Sequence, residues 1–270
     1  MQLLYALTTV CSIHNKNMPS AFSIKLGDFL YKNAFPVYNL IYPYFKRRQD
    51  KQDIALMHQH IKKGDVVLDI GVDIGFYTKI LADLVGETGM VYAFEPDKTN
   101  FKHLQKNAGH LKNAVLINKA VSDKTGTITL YQSDLLNVDH KTYATENYTS
   151  KTEIECVAID DIIVDKKVDF IKIDIQGYKY FAFQGMQEVF KHNKNLKIIT
   201  ELYPYGLNNS GIKVEDFIQL IKTSGFYIYK MNASSLIPLS DEAINNLNKE
   251  NYRIHIVDLF LSKTEIYETK

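Results

Sequence analysis

Apolar positions along this chain switch repeatedly between two spacings. Short apolar runs occur at Val66–Ile70 (VVLDI), Met90–Phe94 (MVYAF), Ala114–Asn118 (AVLIN), Phe170–Ile175 (FIKIDI) and Leu196–Thr200 (LKIIT). Runs of this length, rich in branched residues, predict strands buried on both faces. Between them the spacing becomes helical. Phe76, Ile80 and Leu84 share a face with Tyr77 and Leu81 alongside, and Phe101, Leu104, Ala108 and Leu111 share another. Phe183, Met186 and Phe190 predict the buried face of one helix, and Val214, Phe217, Ile218 and Ile221 stand at i, i+3, i+4 and i+7. Strand alternating with helix predicts a doubly wound α/β domain, its sheet mostly parallel with right-handed crossovers.

The remaining segments add detail. Thr127–Tyr131 alternates polar and apolar residues after a Lys124-Thr125-Gly126 turn and predicts a strand with one wet face. Ile154–Ala158 predicts another, leading to Asp160-Asp161 as the cap of a short helical turn. Ser133–Lys151 is polar and long for a connection, which suits a lid or substrate loop and equally a disordered segment. Gly225 ends the helix before a strand at FYIYKM, Ser240–Asn251 reads as a loop or short helix over the pocket, and Ile254–Leu261 reads as a last strand. Residues 1–52 are set apart as an N-terminal cap segment, with residues 53–270 as the main domain. Within the cap, Asp28–Phe45 is rich in aromatics and is followed by Lys46-Arg47-Arg48. Such a segment suits a core-packed cap, a pocket cover or contact with a membrane surface. Pro36 and Pro43 predict short helical pieces there.

The turn after the first predicted strand carries the clearest chemistry. It reads Asp69-Ile70-Gly71-Val72-Asp73-Ile74-Gly75, followed by Tyr77 and Thr78. Glycine lets a ligand approach the backbone, and the next helix aims free N–H groups outward. The third glycine of a dinucleotide fingerprint is missing, and a pyrophosphate gains nothing from two carboxylates. Asp69 and Asp73 suit a ligand with a positive centre and an ammonium group, and S-adenosylmethionine has both. The second strand ends at Glu95-Pro96, 24 residues beyond Gly71, where an acid accepts ribose hydroxyls in nucleotide-binding βαβ units. A turn serving only strand-to-helix packing is the alternative.

A second polar centre lies in Val168–Gly177 (VDFIKIDIQG). Lys172 and Asp174 sit two apart and therefore project from one face of their strand. In open α/β sheets this strand end lies beside Gly71. A charged pair in an apolar strand is costly unless its members pair or do chemistry. Asp174 is the first candidate to take a proton from an acceptor, with Lys172 and Glu201 orienting it and Gln176 as a polar contact. Glu201, with Asp174, suits a divalent cation or a substrate hydroxyl, or else it orients Lys172. No set of metal ligands is singled out. His58 and His60 are two apart, point in different directions on a helix and read as surface residues.

In combination, DIGVDIGFYT, AFEPD, IKIDIQGYKYFAFQGM and TELYP resemble the FkbM family of S-adenosylmethionine-dependent methyltransferases over roughly Gly64–Met231. The resemblance implies a class I methyltransferase fold with a seven-stranded, Rossmann-like sheet. It also implies O-methylation of sugars or other hydroxyl-bearing small molecules, and a place for Ala120 against the adenine. Where the family has acids directly before Gly177 and two residues after it, this chain has Gln176 and Lys179. A base or metal ligand at those positions would be missing here, so a cofactor-binding but catalytically silent partner subunit is the second reading.

Composition changes this picture little. The 270 residues are 46% hydrophobic and 23% charged, with a formal net charge of +1. A near-neutral chain carries no electrostatic footprint for nucleic acid. Cys11 and Cys156 make neither a disulfide framework nor a metal signature, which suits a reducing, cytoplasmic compartment. The N-terminal MQLLYALTTVC is apolar but lacks a positive flank and is too short to span a bilayer, and it reads as a strand or helix packed on the domain, with a targeting segment as the alternative.

Overall fold

The computed structural model describes residues 21–132, 150–164, 167–175, 177–232, 235–249 and 256–266. Gln176 and all but the last two residues of the predicted Ser133–Lys151 loop lie outside this set, as does the apolar start of the chain. In chain order, three helices, α1 (Ala21–Asn33), α2 (Phe35–Gln49) and α3 (Lys51–His60), precede the first strand. Then come β1 (Val66–Ile70), α4 (Phe76–Val85), β2 (Met90–Phe94), α5 (Lys98–Ala108) and β3 (Ala114–Ile117). Short strands β4 (Ala120–Val121), β5 (Gly126–Gln132) and β6 (Ser150–Val157) follow, with α6 (Ile159–Ile162). The chain returns through β7 (Phe170–Ile173), α7 (Lys179–Gln184), α8 (Gln187–His192) and β8 (Lys197–Leu202). It closes with α9 (Pro204–Asn209), α10 (Val214–Thr223), β9 (Tyr227–Asn232), β10 (Ser235–Pro238), α11 (Asp241–Lys249) and β11 (Val257–Ser262).

The main sheet has the order β10-β9-β11-β8-β7-β1-β2-β3. The pairs β1–β2, β2–β3, β1–β7 and β7–β8 are parallel, and β11 runs antiparallel to β8 and β9. The chain winds outward from β1 to β3 and then returns to β7, so the switch in strand order falls between β1 and β7, where an open α/β sheet binds ligands. This is the doubly wound, mostly parallel α/β sheet that the resemblance implies, with eight described strands in place of the expected seven. The additional one is β10, which pairs antiparallel with β9 at the edge. A three-stranded sheet, β4-β6-β5, stands apart from it.

The two faces of the sheet are covered differently. On one, Leu68, Ile70, Ile171, Ile173 and Ile198 pack against Phe183, Met186, Phe190, Phe217 and Ile221. On the other, Val67, Phe170, Ile199 and Phe260 meet α4 and the N-terminal helices through Tyr38, Tyr42, Phe45, Leu56 and Met57. Period-2 alternation in the strands separates these cores. Three local expectations need correction. Pro36 falls in the first turn of α2, where its missing N–H costs nothing, and Pro43 lies inside a continuous helix. Burial of Tyr38, Tyr42 and Phe45 on both sides of Pro43 offsets the lost hydrogen bond. Phe183, Met186 and Phe190 are all buried but span two short helices, divided at Gly185, where a Cβ would come 2.0 Å from Ser122 O. His60 is half-buried, with its ring 5.0 Å from that of Phe260, and burial beside Lys197 lowers its pKa to about 4.

Candidate active site

The glycine turn sits at the carboxyl end of β1 and is tied to both neighbouring strands. Gly71 N–H donates to Phe94 O at 3.0 Å, and Asp174 N–H donates to Ile70 O at 2.8 Å. Gly71 has φ +81° and packs so closely on β7 that a Cβ would lie 2.1 Å from Asp174 O. No other residue fits there without moving the backbone. Asp73 is the one described non-glycine residue with positive φ (56°). Its N–H donates to Glu95 Oε2 at 2.8 Å, and Glu95 Oε1 accepts from Asp97 N–H at 3.0 Å. Glu95 is therefore buried between two backbone donors, with one further lone pair left on each oxygen. Asn118 holds the adjoining Glu95 and Pro96 carbonyls at 2.8 and 3.1 Å.

This half of the crevice is rich in carboxylates. Burial, and then Asp73, push Glu95 well above the usual carboxylate range. Burial raises Asp73 to about 7 against the pull of Lys46, and raises Asp69 to about 6 against Lys172 and a Thr78 hydrogen bond. Asp69 is fully buried in β1. Its Oδ2 accepts from Thr78 Oγ1 at 2.8 Å, while its Oδ1 has no hydrogen-bond partner. A buried acid after the second strand and an unsatisfied carboxylate oxygen on Asp69 fit an adenosine ligand bearing positive charge. A pyrophosphate would meet these acids with like charge.

A second cluster lies one strand over. Asp69 and Lys172 are register partners on β1 and β7. Lys172 Nζ is 3.3 Å from Asp174 Oδ2 and 4.3 Å from the centre of the Tyr77 ring. Burial disfavours its charge, but Asp174 and Asp69 outweigh burial and raise its pKa. Burial alone would raise Asp174, yet Lys172, Lys179 and Lys46 hold it down at about 2. One strand further, Glu201 lies within β8 and not at its end, opposite Asp258 of β11 in register. Because Ile173 pairs with Thr200, Asp174 falls level with Glu201. Asp174, Glu201 and Asp258 therefore form a row of carboxylates across three adjacent strands. Lys179, expected only as a reversal of sign, has its buried Nζ 3.6 Å from Glu201 Oε2.

The N-terminal helices complete this cluster. Lys46 Nζ is 2.6 Å from Asp50 Oδ2, and the Tyr77 hydroxyl donates to the same oxygen. Asp53 of α3 is raised to about 8, first by burial and then by Asp258 and Asp50. Tyr31 of α1 donates to Asn100 and is raised by burial and by Asp73, Asp97 and Glu95, which places it beside the Glu95 side of the turn. Sequence reasoning missed Tyr31, Asp50, Asp53 and Asp258. Asp258 carried a readable signal, a lone acid in the apolar run IHIVDLFL. Tyr31 and Asp53 lie on helices and Asp50 at the junction of two, where an acid or tyrosine is ordinary.

The structure thus gathers Asp69, Gly71, Asp73, Gly75, Glu95 and Pro96 at one end of the switch point and Lys172, Asp174 and Glu201 at the other. Thr78 is buried behind Asp69, and Tyr77 is buried between Lys172 and Asp50. Ala120 is buried in β4, packed with Ile154 and Cys156. Among the described residues no three His, Cys, Asp or Glu side chains are placed to hold a metal ion, and no helix is long and apolar enough to cross a membrane.

Similar proteins cover this region unevenly. A curated relative from Saccharolobus solfataricus, named "Probable cobalt-precorrin-6B C(15)-methyltransferase (decarboxylating)", is 38% identical over 73 residues, 26% of this chain. The chain matches little more than a third of that relative's length (37%). Among solved structures, an rRNA methylase from Streptococcus thermophilus aligns with 79% of this chain and 95% of its own, at 12% identity and a TM-score of 0.45. A SAM-dependent O-methyltransferase from Thermotoga maritima aligns with 82% of this chain and 66% of its own, at 17% identity and a TM-score of 0.43. Likenesses at this level carry no argument about the acceptor. The profile of the Methyltransferase FkbM domain matches residues 69–254. That stretch is more than half of the chain and runs from Asp69 through Glu95, Lys172 and Asp174 to Glu201, so the chain belongs to the FkbM methyltransferase domain family.

Proposed function

We propose that this protein transfers a methyl group from S-adenosylmethionine to a hydroxyl oxygen of a sugar or other small hydroxyl-bearing acceptor. The observation that carries this reading is the meeting of two unlike polar clusters at the β1/β7 switch point, an acid-rich glycine turn and a carboxylate row interleaved with buried lysines. Gly71, packed on β7, and Gly75, packed on Leu104 of α5, would hold the turn in the shape that meets the cofactor, Glu95 would accept from its ribose, and Asp69 and Asp73 would face its positive charges. When bound, that cofactor supplies a methyl group already activated on a sulfonium. The chain's own part is to orient the acceptor and take its proton.

Asp174 is the first candidate for that contact, with Lys172 and Glu201 fixing its position. Held near pKa 2, it stays ionised at neutral pH and accepts a hydroxyl hydrogen bond, but it is a weak base. Catalysis would then rest chiefly on orientation, with Asp174 aligning the hydroxyl and the proton passing on to solvent. Donors and acceptors interleaved in this way suit an acceptor with several hydroxyls. The test is methyl transfer from labelled S-adenosylmethionine to a panel of glycans and small alcohols, comparing the natural chain with Asp174→Ala. Transfer that falls at least about a hundredfold in the variant, with cofactor binding kept, supports the assignment.

One observation favours a second reading, a partner subunit that binds the cofactor without chemistry. Both acids of the proposed acceptor side are ion-paired to buried lysines. Tight cofactor binding with no transfer to any acceptor in the panel would favour that reading.

A further inference from the structure

We propose that the outer face of α2, with the exposed end of α1, docks this protein on an anionic lipid surface. The proposal does not depend on the methyl-transfer reading.

At about 100° per residue, Tyr38, Tyr42, Phe45 and Lys46 fall on one side of α2. These are the residues that helix buries. The opposite side is also apolar. Val37 is 46%, Leu40 80% and Tyr44 56% exposed, and Phe29 of the adjoining α1 is 57% exposed. Those four are half of the large hydrophobic side chains exposed among the described residues, and they come from one short stretch. Scattered exposed apolar residues need no explanation, but a contiguous stripe on one helix pair does.

The charges around the stripe select the occupant. FPVYNLIYPYFKRRQ contains no acid. Arg47 and Arg48 are exposed and flank the arc of Leu40 and Tyr44, Arg47 with its guanidinium 5.9 Å from the centre of the Phe76 ring, and Lys51 is exposed just beyond. Lys46, on the buried side, is already paired with Asp50. A protein partner of ordinary composition gives no reason for an exposed apolar arc flanked by arginines on a helix without acids. An interfacial helix needs it, because aliphatic and aromatic side chains enter the headgroup boundary while cations meet lipid phosphates. The α2 helix lies in that plane and does not span, being about 22 Å long at 1.5 Å per residue. It is held on the domain by Tyr38, Tyr42 and Phe45, so docking requires no refolding.

The test is co-sedimentation of the full chain with vesicles of phosphatidylcholine alone and of phosphatidylcholine mixed with phosphatidylserine. Binding to the mixed vesicles, weaker by about tenfold or more on phosphatidylcholine, is expected. Leu40→Glu should abolish it, and Arg47→Gln with Arg48→Gln should weaken it by about fivefold per arginine and flatten its salt dependence. These side chains are exposed, so unchanged thermal unfolding would certify each variant as folded. Three results overturn the proposal: no sedimentation with anionic vesicles, binding that survives Leu40→Glu, or a dimer in sedimentation velocity that Leu40→Glu dissolves. The last would assign the face to a second copy of this chain.

Discussion

Lys172→Met is the sharpest test of how the site is held together. In the native structure this ammonium is buried, level with Asp69, 3.3 Å from Asp174 Oδ2 and 4.3 Å above the Tyr77 ring. Methionine keeps the volume and removes only the charge. Breaking a buried pair by removing one partner leaves an uncompensated charge and costs about 3–5 kcal/mol. Here two carboxylates lose their common cation, so the cost at neutral pH belongs at the upper end of that range. The pH dependence follows. Without Lys172 both acids rise, and an acid raised in the folded state favours folding when protonated and loses that contribution as pH increases. Urea unfolding at pH 7.5 should therefore show a deficit of about 4–5 kcal/mol, shrinking by roughly 1–2 kcal/mol at pH 5, since one extra bound proton is worth about 1.4 kcal/mol per pH unit. A deficit under about 1 kcal/mol, or one identical at both pH values, would refute the claim that Lys172 neutralises this pair.

Cofactor affinity should also depend on pH. Asp69 and Asp73 are raised to about 6 and about 7, so a cationic ligand must draw protons off them, and binding should tighten between pH 5.5 and 8. Calorimetry of S-adenosylmethionine in buffers of different ionisation enthalpy should show proton release, and uptake would contradict the placement of the positive charge. The same raised acids, with Asp53 at about 8, favour the ligand-free fold at low pH and lose that contribution as pH rises through their folded values. The unliganded protein should therefore melt lower at pH 8 than at pH 5.5, and the gap should narrow when S-adenosylmethionine is present. Gly71→Ala places a Cβ 2.1 Å from Asp174 O at a positive φ. It should cost about 1–3 kcal/mol in strain and abolish cofactor binding, as read by unfolding and calorimetry together. Glu95→Gln keeps one acceptor but loses either the Asp73 or the Asp97 N–H bond. A loss of about tenfold in S-adenosylmethionine affinity is expected, and full affinity would remove Glu95 from the ribose.

What the sequence determined is what short-range pattern can carry. The runs VVLDI and MVYAF had to be buried strands because both faces are apolar, and Val214, Phe217, Ile218 and Ile221 had to be one helical stripe. The glycine turn was legible because only glycine tolerates a positive φ and a neighbouring backbone together, and Glu95 was legible because it follows a strand directly. Register and long-range packing decided the rest. That Asp258 lies beside Glu201 depends on an antiparallel strand inserted between β8 and β9, a pairing no local spacing encodes. That Lys179 meets Glu201 depends on where α7 starts relative to β8. Likewise, Pro43 stays inside a helix because tyrosines distant from the sheet in sequence find a core there, and burial outweighs the local cost of proline. Local rules fix which residues form an element and which face is apolar. Which charges come to share a buried site is set only when the strands take their order, because each of these acids tolerates burial only beside the lysines or backbone donors that the tertiary fold delivers.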